Sequence, residues 1–125
     1  MDFDLLERLL LTNHGAIKRA ETDMEMAARH YVTVRQRIVL EVREANTRLV
    51  QATEAVEKWR RDVLPLAESI QAGARKAFEA GDVSYLPVLE RTRELSDARR
   101  RESELAAEAR RALVQLERAL GKKLP

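Results

Sequence analysis

Apolar residues recur every seven positions from Met24 through Tyr31, Ile38, Ala45, Ala52 and Trp59 to Leu66. A second set, offset by four, runs Ala28, Arg35, Val42, Leu49, Val56, Val63, Ile70 and Ala77, with Arg35 as its one polar member. A seam held in heptad phase for this long predicts a coiled-coil helix rather than a generic amphipathic one. After Gly81 the pattern starts afresh. Val88, Leu95, Ala109 and Leu116 share one heptad position, interrupted by Glu102; Thr92, Ala106, Leu113 and Leu120 share another, interrupted by Arg99.

Three breaks punctuate these patterns. Thr12-Asn13-His14-Gly15 reads as a turn or the start of a helix, and Gly81-Asp82, followed by Ser84 and Pro87, is the strongest break. Gly121 stands where a glycine usually follows a helix end. Ser84 can cap the second helix, and Pro87 falls in its first turn, where a missing N–H costs nothing. The expected fold class is therefore all-α: a long antiparallel coiled-coil helical hairpin. Residues 1–14 form a poorly defined N-terminal segment, 15–121 the hairpin (helix 15–80, tip 81–84, helix 84–120), and 122–125 a tail. Pro65 removes one backbone hydrogen bond, so a kink is expected there, with the heptad phase carried through from Trp59 and Val63 to Leu66 and Ile70.

The two arms differ in reach, about 100 Å for residues 15–80 against about 55 Å for 84–120. Folded back, the second arm covers the first only to near Ala45. Ile17, Met24, Tyr31 and Ile38 are then left bare, and bare apolar seams mark contact with other protein.

Composition supports helices and little else. Ala, Glu, Lys, Leu and Arg make up 73 of the 125 residues, against five aromatics, four Gly and three Pro. A β-sandwich or an α/β domain needs more strand formers and more turns. No cysteine is present, so disulfides, Cys-ligated zinc and thiol chemistry are excluded. The net charge of +2 is interleaved: Arg60-Arg61, Arg99-Arg100-Arg101 and Arg110-Arg111 each lie within a few residues of Glu or Asp. That pattern reads as a wetted helix surface and argues against a nucleic-acid partner, which wants its positive charge on one face. The longest uncharged apolar run, Leu9-Leu10-Leu11, is far too short to span a bilayer. The acidic start Met1-Asp2-Phe3-Asp4 reads unlike an export signal.

Catalytic chemistry has no foothold. His14 and His30 are 16 residues apart, and no phosphate loop, HExxH pair or Ser/His/Asp set can be assembled. No catalytic residue, cofactor or metal site is expected, and the carboxylates are accounted for by Arg partners three or four residues away. What stands out is the bend, where Val83, Tyr85 and Leu86 add more apolar surface than a simple turn requires. They either close the end of the coiled coil or dock end-on to another protein.

The string Ala80-Gly81-Asp82-Val83-Ser84-Tyr85-Leu86-Pro87-Val88-Leu89-Glu90 resembles the signature of the TolC-like outer membrane efflux proteins. Val63-Leu64-Pro65-Leu66-Ala67-Glu68 is similar to a segment of their heavy-metal (CusC/CzcC-like) branch. Asn13-His14-Gly15-Ala16-Ile17 with Ala20 resembles the start of the family's long helix, and Leu116-Glu117-Arg118-Ala119-Leu120-Gly121 its end. The resemblance implies the second-repeat hairpin of a trimeric channel that combines an outer-membrane β-barrel with a periplasmic helical barrel. It implies that Gly81, Asp82, Val83, Ser84 and Tyr85 form the tip that meets the periplasmic adaptor of a tripartite pump, whose inner-membrane component supplies energy. It also gives Glu90 the place of an acidic residue that narrows the entrance. The first repeat and the membrane strands have no counterpart here, and Pro87 is unusual within the signature. The rival expectation is a free-standing coiled-coil scaffold that dimerises through the bare seam of residues 17–42.

Overall fold

The computed structural model describes residues 3–125, so Met1 and Asp2 lie outside the described residues. Helix α1 spans Phe3–Lys58, a single π-helical turn follows at Trp59–Val63, α2 spans Leu64–Glu79 and α3 spans Leu86–Leu120. The chain divides into two units, the first ending at Leu40 and the second running from Glu41 to Pro125.

The first unit is all helix from Phe3 onward, where the sequence suggests a turn or helix start at residues 12–15. Thr12 turns its hydroxyl back onto the carbonyl of Arg8 at 2.7 Å, a bond that keeps a threonine within a helix. Gly15 costs the helix only about 1 kcal/mol relative to Ala, too little to end it. Ile17, Met24, Tyr31 and Ile38 are all exposed, as the arm lengths lead one to expect. Among the described residues up to Leu40, only Val34 is half-buried, and the rest are exposed.

The second unit is a helical hairpin. Its cross-arm partners fall in number on α3 as they rise on the first arm: Trp59 with Ala98, Gln71 with Thr92, Phe78 with Tyr85. That order makes the arms antiparallel. On the first arm the seam is Val42, Ala45, Leu49, Ala52, Val56, Trp59 and Val63, with Ala45 and Val56 buried and the others half-buried. The arms first meet where Glu41, Glu44, Ala45 and Arg48 line a shallow groove with Gln115, Arg118 and Ala119.

Two parts of the expected seam are corrected. The heptad phase does not run through Pro65. Leu66 and Ile70 are 60% and 45% exposed, whereas Leu64, Ala67, Gln71 and Ala74 are half-buried. The π turn explains the shift. The N–H of Leu64 bonds the carbonyl of Trp59, five residues back, so the turn takes in one extra residue and the covered row passes to Leu64, Ala67, Gln71 and Ala74. A proline ring collides with the carbonyl four residues before it, here that of Arg61, and a widened turn gives that carbonyl room.

On α3, Val88, Leu95 and Leu116 are buried as expected, with Ala109 half-buried and Glu102 partly so. The second row, however, is Arg91, Ala98, Leu105, Ala112 and Ala119, one residue before the row beginning at Thr92. Leu113 and Leu120 lie on the outside. The observed row puts only Arg91 among apolar residues, while the expected one needed both Thr92 and Arg99.

Trp59 fixes the register of the hairpin. Its indole N–H donates to the carbonyl of Ala98 at 3.0 Å, and next to it Arg60 pairs with Glu102. A buried tryptophan N–H needs such an acceptor, and sliding the arms by one residue would remove it. The neighbouring ion pairs, Arg99 with Glu68 at 3.7 Å and Arg61 with Asp62 at 3.1 Å, are solvent-exposed and contribute little.

Candidate functional site

The tip is built by the way α2 ends. The N–H of Gly81 bonds the carbonyl of Phe78, and the N–H of Asp82 bonds that of Ala77, both at 3.0 Å. This pair of bonds is the Schellman closure, which satisfies the last carbonyls of a helix and requires a residue with positive φ. Gly81 supplies it at φ +79. The same closure recurs at the end of α3, where Gly121 and Lys122 bond the carbonyls of Arg118 and Glu117. Both helix ends are therefore set by a glycine that the sequence places there.

The chain re-enters a helix without the cap expected from Ser84. Tyr85 occupies the N-cap position and no side chain caps the helix. The amide of Leu89 takes the carbonyl of Tyr85 as the first α-helical bond, and Pro87 falls in the first turn as the sequence implies. The Tyr85 ring instead packs edge-on against Phe78, with centroids 5.1 Å apart and planes at 63°, a favourable aromatic geometry. The two rings tie the last turn of α2 to the first of α3.

Gly81, Asp82, Val83, Ser84 and Tyr85 are thus brought together on one exposed loop, with Glu90 exposed one turn into α3. Tyr85 is 52% exposed and Leu86 60%. Leu86 does not close the end of the coiled coil; the buried Val88 does. Phe78 and Leu89, both exposed, complete the apolar surface and are absent from the tip residues read from sequence. The signal for Phe78 was its place three residues before the closing glycine. Beside Glu90, the guanidinium of Arg91 is held above its ordinary pKa, first by its hydrogen bond to Glu94 at 2.7 Å and least by the charge of Glu90.

Among the described residues, no group of three or more His, Asp or Glu side chains could hold a metal ion. No helix among them is long and apolar enough to cross a membrane. What this site offers is a hydrogen-bonded backbone turn that presents an apolar surface.

No curated protein and no solved structure matches the chain significantly. The family model described as outer membrane efflux protein does match, over residues 10–122, which takes in both arms and the tip. That span covers most of the chain, and the hairpin it crosses is the one expected of a TolC-like protein: the chain belongs to the outer membrane efflux protein family.

Proposed function

We propose that this chain forms a periplasmic α-helical hairpin of an outer membrane efflux channel, in the second of the family's two repeats, and that its tip docks the periplasmic adaptor of a tripartite export system. The parent assembly in this reading is a homotrimer that acts as a passive conduit, with energy supplied by an inner-membrane pump. Its place is the outer membrane and periplasm. The similarity around Val63-Leu64-Pro65 favours the heavy-metal branch, and a π turn at Trp59–Val63 lies just before Pro65.

One observation carries the docking role. Phe78, Val83, Tyr85, Leu86 and Leu89 are exposed together on a tip whose backbone is already closed by its own hydrogen bonds. Contiguous apolar surface in water marks a contact site, and a pre-ordered loop loses little entropy when it binds. Gly81, Asp82, Val83, Ser84 and Tyr85 form the docking loop, and Glu90 faces the entrance. Chemistry on a substrate has no part in this mechanism.

The test is capture of the cognate adaptor by chains carrying Gly81→Pro or Tyr85→Asp. Each change is expected to weaken capture at least about tenfold, the scale of losing one central contact, while circular dichroism shows the helices intact. Capture unaffected by both changes would rule out docking through the tip.

A further inference from the structure

The π turn at Trp59–Val63 separates two ways of packing the hairpin. The heptad pattern of the first arm calls for Leu66, Ile70 and Gly73 to follow Trp59 and Val63 into the seam. The structure leaves those three outside and half-buries Ala67, Gln71 and Ala74 instead. The covered row is the poorer one. It takes an alanine and a glutamine in place of a leucine and an isoleucine, and the amide of Gln71 reaches the hydroxyl of Thr92 only at 3.4 Å. No residue of the π turn or of α2 is fully buried.

Apolar burial alone therefore favours a regular helix through this stretch, with Leu66 and Ile70 turned inward. Pro65 opposes it. In a regular helix its ring meets the carbonyl of Arg61, and the π turn gives that carbonyl room. The two demands are met by different states of the same few residues, which is the condition for a bistable element.

We infer that α2 has two registers against α3, and that Pro65 is the latch that selects the one observed. In the second register the π turn becomes regular helix, and α2 rotates by the angle of one residue, about 100°. Leu66 and Ile70 then face α3. The register sets what the hairpin shows on its flank: Leu66 and Ile70 in one state, Ala67, Gln71 and Ala74 in the other. A contact on that flank shifts the balance toward the register it fits. The inference concerns the hairpin alone and stands whether or not the tip docks an adaptor.

The chain has no cysteine, so paired cysteines report the register in the full chain. Gln71→Cys with Thr92→Cys marks the observed register and Ile70→Cys with Thr92→Cys the second, each pair joined by a short bifunctional thiol reagent. With Pro65 present, the 71–92 pair should cross-link readily and the 70–92 pair should lag. Pro65→Ala should raise the ratio of 70–92 to 71–92 product about tenfold. Removing Arg61 together with Pro65→Ala should return the ratio to its starting value, because a regular helix one residue shorter brings Ala67, Gln71 and Ala74 back to the seam. That rescue separates a change of register from a general loosening of α2. A ratio unchanged by Pro65→Ala, or one raised by it and not restored by removing Arg61, would overturn the inference.

Discussion

Residues 3–40 and residues 41–125 are built from the same kind of helix and differ in whether the apolar seam is covered. In the second unit Ala45, Val56, Val88, Leu95, Ala98, Leu105, Ala112 and Leu116 are buried between two arms, and a tryptophan hydrogen bond holds their register. In the first, fourteen large apolar side chains from Phe3 to Leu40 stand exposed. Isolated helices are marginal in water, and most helical stability in proteins comes from packing one face. Similar sequence patterns therefore carry different obligations. One seam has found its partner within the chain, and the other stands exposed.

The largest test of this contrast is truncation within each seam. Leu95→Ala empties a buried position and should cost about 2–3 kcal/mol in urea unfolding, the lower part of the range for core leucines because Leu95 keeps some contact with solvent. Leu10→Ala should change stability by no more than about 0.5 kcal/mol. Equal costs would mean that the first unit's seam is covered after all.

A glycine comparison comes next. Gly81→Ala places a side chain at φ +79 and should destabilise by about 1–2 kcal/mol. Gly15→Ala meets nothing within 4 Å in a helix and should stabilise by about 0.5–1 kcal/mol. The same substitution has opposite signs because one glycine closes a turn and the other interrupts a helix.

Trp59→Phe should cost about 1 kcal/mol beyond the lost ring area, since the carbonyl of Ala98 loses its cross-arm donor. Tyr31→Phe, in the exposed seam, should leave unfolding of the single chain unchanged. Thermal melts followed by circular dichroism distinguish the two.

The smallest effect concerns Asp62, whose pKa is lowered first by its hydrogen bond from Arg61 and then by that charge. A carboxylate held below its ordinary value in the folded state stabilises above the unfolded pKa, and the contribution is lost as pH falls through the folded value. Because both side chains are exposed and their attraction is weakened by solvent, Asp62→Asn should leave the urea midpoint at neutral pH unchanged. A clear drop would assign the pair a structural role in the π turn.

Much of this organisation is legible in the residues. The hairpin, its closing glycine, the first-arm seam from Val42 to Val63 and the bare stretch before Ala45 follow from apolar period and arm length. The π turn does not, because a heptad count cannot register one extra residue: Leu66 and Ile70 keep the pattern in sequence while the backbone carries them off the seam. The second row of α3 departs from the heptad pattern for a different reason. Leu113 and Leu120 are larger than Ala112 and Ala119, yet two arms that approach closely prefer the small residues inside. At the tip, the loop residues were legible from the resemblance, whereas the pairing of Phe78 with Tyr85 depends on how the closed turn brings two helix ends together.

The central claim, that the tip and not the arm faces the adaptor, is tested most directly by placing a photo-crosslinking residue at Tyr85 or at Leu113 and irradiating with the cognate adaptor present. A covalent adduct with the adaptor from position 85, and none from position 113, is the result this account predicts. No adduct from position 85, or adducts of equal yield from both positions, would contradict it.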